Sequence, residues 1–336
     1  MLYTCLTMFY SVIIPVYNRP DEVNELLLSL AKQHFTNFEV LVVEDGSTVP
    51  CEEVVKKYSD TLDVKYFFKP NSGPGQTRNF GAERSKGDYL IILDSDCILP
   101  EGYFDAVEAE LKRKPADAFG GPDRADASFS DMQKAINYAM TSFFTTGGIR
   151  GGKKKLDKFY PRSFNMGVKR NVYMDLNGFS KMRFGEDIDF SIRIFKGNYS
   201  CRLFPDAWVF HKRRTDLKKF FKQVHNSGIA RINLFRKYPE SLKLVHLLPA
   251  VFTAGLLFLL IVSCFTLLGL IPILFYAVVI LLDASLQTRN LKIGLTAVVA
   301  SFIQLTGYGS GFILAWWKRV VLKKDEFSAF EKNFYK

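Results

Sequence analysis

Tyr89-Leu90-Ile91-Ile92-Leu93-Asp94-Ser95-Asp96 runs five apolar residues straight into a pair of carboxylates. An apolar run of that length without alternation reads as a strand buried on both faces, as in a parallel sheet. Asp94 could serve as a helix cap ahead of Pro100. Two carboxylates two residues apart nevertheless repel, unless a cation lies between them or each meets a different group. Mg²⁺ or Mn²⁺ held together with a diphosphate resolves the repulsion, because both metals take oxygen ligands and keep positions open for phosphate.

The neighbouring segments supply the rest of the sheet. Ser11 to Val16 and Phe38 to Val43 read as buried strands, and Asp63 to Phe68 as another. Asp21 to His34 carries Val23, Leu26, Leu27 and Leu30 at helical spacing. Cys51 to Tyr58 reads as a short helix and Gly75 to Lys86 as a longer one. Strands alternating with helices imply an α/β domain with a mostly parallel sheet covered on both faces. Ligands of such sheets bind at the carboxyl ends of the strands. Tyr17-Asn18, Glu44-Asp45-Gly46-Ser47 and Asp94-Ser95-Asp96 therefore converge on one edge, although Asp45-Gly46 alone is also a turn signal. No G-x-G-x-x-G follows the first strand, which disfavours a dinucleotide oxidoreductase, and no P-loop signature occurs.

With these segments in hand the chain resembles the glycosyltransferase family 2 enzymes of the GT-A fold. The resemblance is carried by Val12 to Asn18, Val42 to Ser47, Asn71 to Asn79 with Gly81 and Gly87, and Leu93 to Asp96, in family order and spacing. It extends over about residues 10–230, and the hydrophobic tail is similar to that of membrane-attached members. The resemblance implies that Pro15, Tyr17, Glu44 and Asp45 line a base and ribose pocket, and that Arg78 approaches the donor phosphates. It implies that Asp94, with Ser95, contacts the ribose or diphosphate, and that Asp96 of this DXD motif ligates the divalent cation. His211, after Ala207 to Phe210, is either structural or a further contact to metal or diphosphate.

On the acceptor side Asn165, Gly178 and Phe179 match the family, as does the pair Glu186-Asp187. Acidic residues also favour a helix N-terminus for electrostatic reasons alone. The resemblance assigns Asp187 as the base that deprotonates the acceptor hydroxyl, with Glu186 beside it, and implies inversion at the anomeric carbon. Gln223 and Arg231 would meet the site from the membrane side. No Q-x-x-R-W occurs, which argues against a processive synthase of the cellulose type. Gly147 to Arg162, with Lys153, Lys154 and Lys155, reads either as a solvated loop or as a lid or acceptor entrance.

The composition places the site at a membrane. Of 336 residues 48% are hydrophobic and 24% charged, so the chain is neither disordered nor collagen-like. Residues 1–211 carry 27 basic and 28 acidic side chains, whereas residues 212–243 carry ten basic and two acidic. The net charge of +11 therefore flanks the apolar region. Anionic membrane lipid is the partner this placement favours, at about 1 kcal/mol per basic residue near the surface. Nucleic acid is disfavoured, since the N-terminal part is neutral and no nucleic-acid motif is visible. Five cysteines without C-x-x-C spacing point to a reducing compartment. No signal peptide is read, and either Met1 or Met8 serves as the start.

Leu244 to Leu282 is 39 residues without Asp, Glu, Lys or Arg, and Gly294 to Trp317 is another 24. A span needs about 20 residues, so two to three transmembrane helices are expected, with a turn near Gly269 to Pro272. Trp316-Trp317-Lys318-Arg319 resembles an interfacial anchor. Three full spans would separate the basic segments 212–243 and 318–336, whereas the positive-inside tendency wants both in the cytoplasm. One segment is then re-entrant or interfacial, and Phe220 to Tyr238 reads as lying along the membrane surface. Asp283 is taken as an acidic residue between the segments, too little for a transport pathway.

The expected organisation is a GT-A catalytic domain at 1–211, a basic juxtamembrane region at 212–243, a membrane region at 244–317 and a basic tail at 318–336. The expected protein is an integral membrane enzyme with its catalytic domain on the cytoplasmic face. It would be an inverting, Mn²⁺- or Mg²⁺-dependent transferase moving a sugar from a nucleotide sugar, with UDP favoured by the resemblance. Its acceptor would be a lipid-linked or membrane-associated saccharide, in cell-surface glycan or polysaccharide synthesis. Transfer to a polyprenyl phosphate and a non-catalytic nucleotide-sugar-binding scaffold are the alternatives.

Overall fold

A computed structural model describes residues 8–124, 129–147, 159–182 and 184–325. Most of the basic loop read from Gly147 to Arg162 and the end of the tail lie outside the described residues. In chain order the elements are β1 (Tyr10–Val16), α1 (Pro20–Ala31), β2 (Phe38–Asp45), α2 (Glu52–Lys56), β3 (Val64–Lys69), α3 (Pro74–Glu83), β4 (Tyr89–Leu93), β5 (Cys97–Ile98), α4 (Tyr103–Arg113), β6 (Ala118–Gly120) and β7 (Asp123–Arg124). They continue with α5 (Asp131–Thr141), α6 (Phe143–Thr146), β8 (Asn165–Lys169), α7 (Arg170–Asp175), α8 (Glu186–Lys196), β9 (Cys201–Leu203), β10 (Val209–His211), α9 (Leu217–Lys237), α10 (Leu248–Ser263), α11 (Leu270–Thr288) and α12 (Leu291–Trp316).

The chain divides into two compact units. The first comprises residues 8–124 and 159–211 and the second 129–147 and 212–325, counting described residues. The sequence reading had 1–211 as one domain. The α5–α6 segment instead packs with the C-terminal helices, because Ala135 and Tyr138 close a cluster with Ile280, Ala284, Ile293 and Ala297.

The first unit is built on a seven-stranded sheet in the order β3-β2-β1-β4-β8-β6-β9. Its pairs are parallel except those made by β8, which runs antiparallel to β4 and β6. Strands β1, β2 and β4 are almost wholly buried, as their apolar runs require. Pro15 is tolerated in β1 because the ladder to β4 ends at the pair Ile13–Ile92, before the missing N–H is needed. Helix α1 opens with Pro20 and acidic Asp21 and Glu22, and buries Val23, Leu26, Leu27 and Leu30. It ends at Ala31 rather than His34, where Gln33 turns its amide onto the carbonyls of Ser29 and Pro100. A three-stranded sheet, β5-β10-β7, sits beyond the end of β4.

In the second unit α10 and α11, each with the 3-10 turn before it, and α12 with its π-helical continuation are long and apolar enough to cross a membrane. The turn between α10 and α11 falls at 264–269, earlier than expected. Pro272 belongs to the first turn of α11, where its missing N–H costs nothing. Asp283 lies inside α11, not between segments, and accepts from Tyr138 Oη at 2.5 Å and Gln287 Nε2 at 2.9 Å. Helix α9 packs along α12 through small residues: a Cβ on Gly228 would strike the Tyr308 carbonyl, and one on Gly311 the His225 carbonyl. Gly309 on the opposite side admits Pro249 and Thr253 of α10 in the same way. The stripe Gly307-x-Gly309-x-Gly311 thus lets α12 touch two helices at backbone distance.

Candidate functional site

The site lies at the carboxyl ends of β1 and β4 in the first unit. Asp94, Ser95 and Asp96 leave β4, and β5 follows at once. The short sheet then decides what faces them. β10 pairs antiparallel with β5 so that His211 is opposite Cys97, and His211 Nε2 lies 3.2 Å from Asp96 Oδ1. The imidazole stacks on Phe164, with ring centroids 4.8 Å apart. Arg19, just past β1, places Nη1 2.6 Å from Asp96 Oδ2. Ligand atoms of Asp96, Cys97 and His211 lie within 4.8 Å of one another, and His211 Nδ1 is buried without a hydrogen-bond partner among the described residues. Burial pushes the Cys97 thiol well above its usual range, and the thiol donates to the Phe164 carbonyl at 3.3 Å. A soft sulfur ligand does not suit Mn²⁺ or Mg²⁺, which leaves Asp96 and His211 as the donor set. One carboxylate and one imidazole fit Mn²⁺ or Mg²⁺ with positions left for phosphate oxygens.

Arg78 joins the two halves of the site. Its guanidinium, nearly excluded from solvent, gives Nη2 to Asp94 Oδ1 at 2.7 Å and Nη1 to Glu186 Oε1 at 3.0 Å. The ring of Phe179 lies 5.2 Å beneath it. Arg78 is therefore a bridge between carboxylates rather than a free phosphate ligand. Glu186 and Asp187 occupy the first turn of α8, whose N-terminal Gly185 has φ +84°. Burial raises the Glu186 carboxyl to about 7; Arg78 opposes this and the charge of Asp187 adds to it. Asp187 Oδ2 pairs with Arg162 Nε at 2.7 Å, and its Oδ1 accepts from the N–H of Ile188.

Several of the sequence-derived site residues turn out to hold the frame. Asn165 is 0% exposed, donates to the Ala207 carbonyl at 2.8 Å and accepts from Tyr103 Oη at 2.7 Å. It rivets β8 into the core with both ends of its amide engaged. Glu44, also 0% exposed, accepts from Ser47 Oγ and from Cys51 N and Tyr66 Oη, so it latches the loop after β2. Asp45 accepts from Ser72 N and Gly73 N, each at 2.9 Å, and from Lys69 Nζ at 2.5 Å. At 1% exposure it anchors the turn into α3 instead of presenting an open oxygen to a base. Gly178, at φ +57°, and Phe179 form a buttress, because Asn79 bonds both the N–H and the carbonyl of Phe179. A side chain at 178 would strike Asn79.

Tyr17 and the half-buried Pro15 stay at the end of β1, and Ser95 is buried between the two carboxylates. Gln223 and Arg231 lie on α9 in the second unit. Arg19 and Arg162 were missed by the sequence reading. Arg19 stood next to Tyr17-Asn18 at a strand end, which is a usable signal. Arg162 stood at the edge of a basic loop, which is none.

Residues 11–176 match the model of glycosyl transferase family 2. Through this segment the chain belongs to glycosyl transferase family 2. An uncharacterized glycosyltransferase of Rickettsia bellii is 40% identical over 102 residues, which are 30% of this chain and 14% of that protein. Poly(ribitol-phosphate) beta-N-acetylglucosaminyltransferase TarS of Staphylococcus aureus is 44% identical over 93 residues, 26% of this chain and 16% of that protein. The chain thus spans only a small part of these curated relatives. Among solved structures, mannosyltransferase PcManGT from Pyrobaculum calidifontis, in complex with GDP-Man and Mn²⁺, has a TM-score of 0.61 at 16% identity. That likeness, over 94% of this chain and 89% of the other, is one of fold. The family 2 match ends before Glu186, Asp187 and His211, so the tertiary contacts attach these three to the matched segment.

Proposed function

We propose that the chain is an inverting glycosyltransferase working at a membrane surface. It moves one sugar from a nucleoside-diphosphate sugar to a hydroxyl of a lipid-linked or membrane-associated saccharide, in cell-surface glycan or polysaccharide synthesis. The observation that carries this reading is the Arg78 bridge, which ties the donor-side Asp94 to Glu186 beside Asp187 within one buried network. The names of the relatives, all transferases of sugars where an activity is given, support it.

Asp96 and His211 would hold the divalent cation, which when bound supplies Lewis-acid stabilisation of the leaving diphosphate. Arg19 adds a fixed positive charge at the same edge, where the departing diphosphate develops negative charge. Asp187 takes the proton of the attacking hydroxyl at Oδ2, the oxygen that Arg162 orients. Glu186, raised by burial, retains its proton more readily than an ordinary carboxyl and limits the charge beside Asp187. Attack opposite the leaving diphosphate inverts the anomeric centre without a covalent enzyme intermediate. The three apolar helices and their basic flanks attach this domain to the cytoplasmic face of an anionic membrane.

The test is a titration of detergent-purified protein with UDP, GDP, CDP and dTDP, with and without Mn²⁺ or Mg²⁺. Cation-dependent binding of one diphosphate is expected, with UDP first, and Asp96→Ala should remove the cation dependence. Asp187→Asn should bind the same diphosphate and lose transfer. Full transfer by Asp187→Asn removes the base and points to a phosphate acceptor. No binding of any diphosphate to the folded protein overturns the enzyme reading.

A further inference from the structure

The link between α10 and α11 has an unusual surface for a loop. Phe265 is 86% exposed, Leu267 78% and Leu268 67%, and Cys264 to Gly269 contains no charged residue. A turn emerging into water on the far side of a bilayer would place these side chains in solvent. Most of its backbone N–H groups, by contrast, are bonded within the turn. Cys264 N–H bonds the Ile261 carbonyl at 3.1 Å, and the N–H groups of Phe265 and Thr266 bond the Val262 carbonyl at 2.9 Å. Leu268 N–H reaches Thr266 Oγ1 and Gly269 N–H reaches the Thr266 carbonyl. Inside hydrocarbon each unsatisfied backbone group costs several kcal/mol, so internal satisfaction with an apolar exterior is what a turn at that depth requires. Helix α10 has 16 residues. At about 1.5 Å per residue it is about 24 Å long, and the apolar segment reaches 20 residues only with the 3-10 turn that starts at Leu244.

The opposite ends of the hairpin are polar. Lys292, at the start of α12, pairs with Asp131 of α5 at 3.2 Å. Helix α12 then runs parallel to α9: Val224 lies against Gly307, Gly228 against Tyr308, and Arg319 bonds Asn233 Oδ1. Helix α9 carries Lys218, Lys219 and Lys222 at one end and Arg231, Arg236 and Lys237 towards the other. Helix α9 is not among the helices long and apolar enough to cross a membrane, and α12 packs along it.

We propose that α10 and α11 form a re-entrant hairpin that enters the bilayer and returns to the same face, with Cys264–Gly269 as its tip in the hydrocarbon. On this arrangement α12 lies beside α9 in the interface of that face. The inference rests on the membrane attachment proposed above. It brings the basic segments 212–243 and 318–336 to one side, as their charge demands.

The test uses the full chain in sealed vesicles of both orientations, a membrane-impermeant maleimide, and mass spectrometry of the labelled peptides. Ser59→Cys marks the side of the first unit and Lys323→Cys the end of α12, and both positions are exposed. Both are expected to label from the same face, while Cys264 and a Thr266→Cys variant label only after detergent. Labelling of residue 264 or 266 in sealed vesicles from either face overturns the proposal, as does labelling of Lys323→Cys from the face opposite Ser59→Cys. Release of the chain by a carbonate wash is a separate outcome and overturns the membrane attachment itself.

Discussion

Replacing Arg78 by methionine keeps most of its volume and removes the charge that two carboxylates share. In the native site Glu186 is 8% exposed, with Arg78 Nη1 at 3.0 Å, and Asp94 Oδ1 is 2.7 Å from Nη2. Breaking a buried pair by removing one partner costs roughly 3–5 kcal/mol, because the other charge stays buried without compensation. Asp94 is the more exposed partner and recovers part of its hydration, so a loss of about 3 kcal/mol is expected. For a unit of this size each kcal/mol lowers Tm by about 2–4 °C, giving a fall of roughly 6–12 °C. Adding Glu186→Gln removes the stranded charge, and the double variant should lose only about 1–1.5 kcal/mol relative to wild type. The assay is thermal unfolding in detergent at pH 8, followed by intrinsic fluorescence at one scan rate. A fall of less than about 2 °C for Arg78→Met refutes the bridge, as does a double variant whose loss equals the sum of the single losses.

The pH dependence has a definite sign. Burial first, with the charge of Asp187 adding and Arg78 opposing, raises the Glu186 carboxyl from 4.5 to about 7, so the folded state holds this proton more tightly than the unfolded state. Wild type then loses stability as pH rises through that window, and the Glu186→Gln variant does not share the loss. The wild-type Tm minus the variant Tm should fall from about pH 5 to about pH 7 and level off above it; a difference that grows with pH contradicts the raised carboxyl. Asn165→Ala strands Tyr103 Oη and the Ala207 carbonyl, at roughly 1–3 kcal/mol for each unsatisfied group, and should leave nucleotide affinity of the folded protein unchanged. An unshifted Tm combined with a raised acceptor KM would return Asn165 to the acceptor side.

The sheet was legible because burial on both faces imposes a local pattern. Uninterrupted apolar runs at Val12 to Val16, Val40 to Val43 and Tyr89 to Leu93 can only be central strands, and the β4 boundaries were read without error. The carboxylates after β4 stand out in the sequence for a related reason, since a charged pair beside a buried strand must find partners, and the fold supplies Arg78, Arg19 and His211. Two to three apolar helices were expected from length and composition, and three are long and apolar enough to cross a membrane among the described residues.

Side-chain direction was not encoded in any such local pattern. Glu44 and Asp45 look like ligand groups in the sequence, and only the folded loop shows their oxygens spent on Cys51, Ser72 and Gly73. Asn165 reads as a polar residue on offer, yet both ends of its amide close core contacts 42 and 62 residues away. Arg78 stands 16 residues from Asp94 and 108 from Glu186, and no periodicity links the three. His211 meets Asp96 only because a two-residue strand pairs with β10 in one register. Short-range hydrophobic patterning wrote the elements of this chain. The pairing of charges across long sequence separations, which exists only once the elements have packed, assigned each polar residue to the frame or to the site.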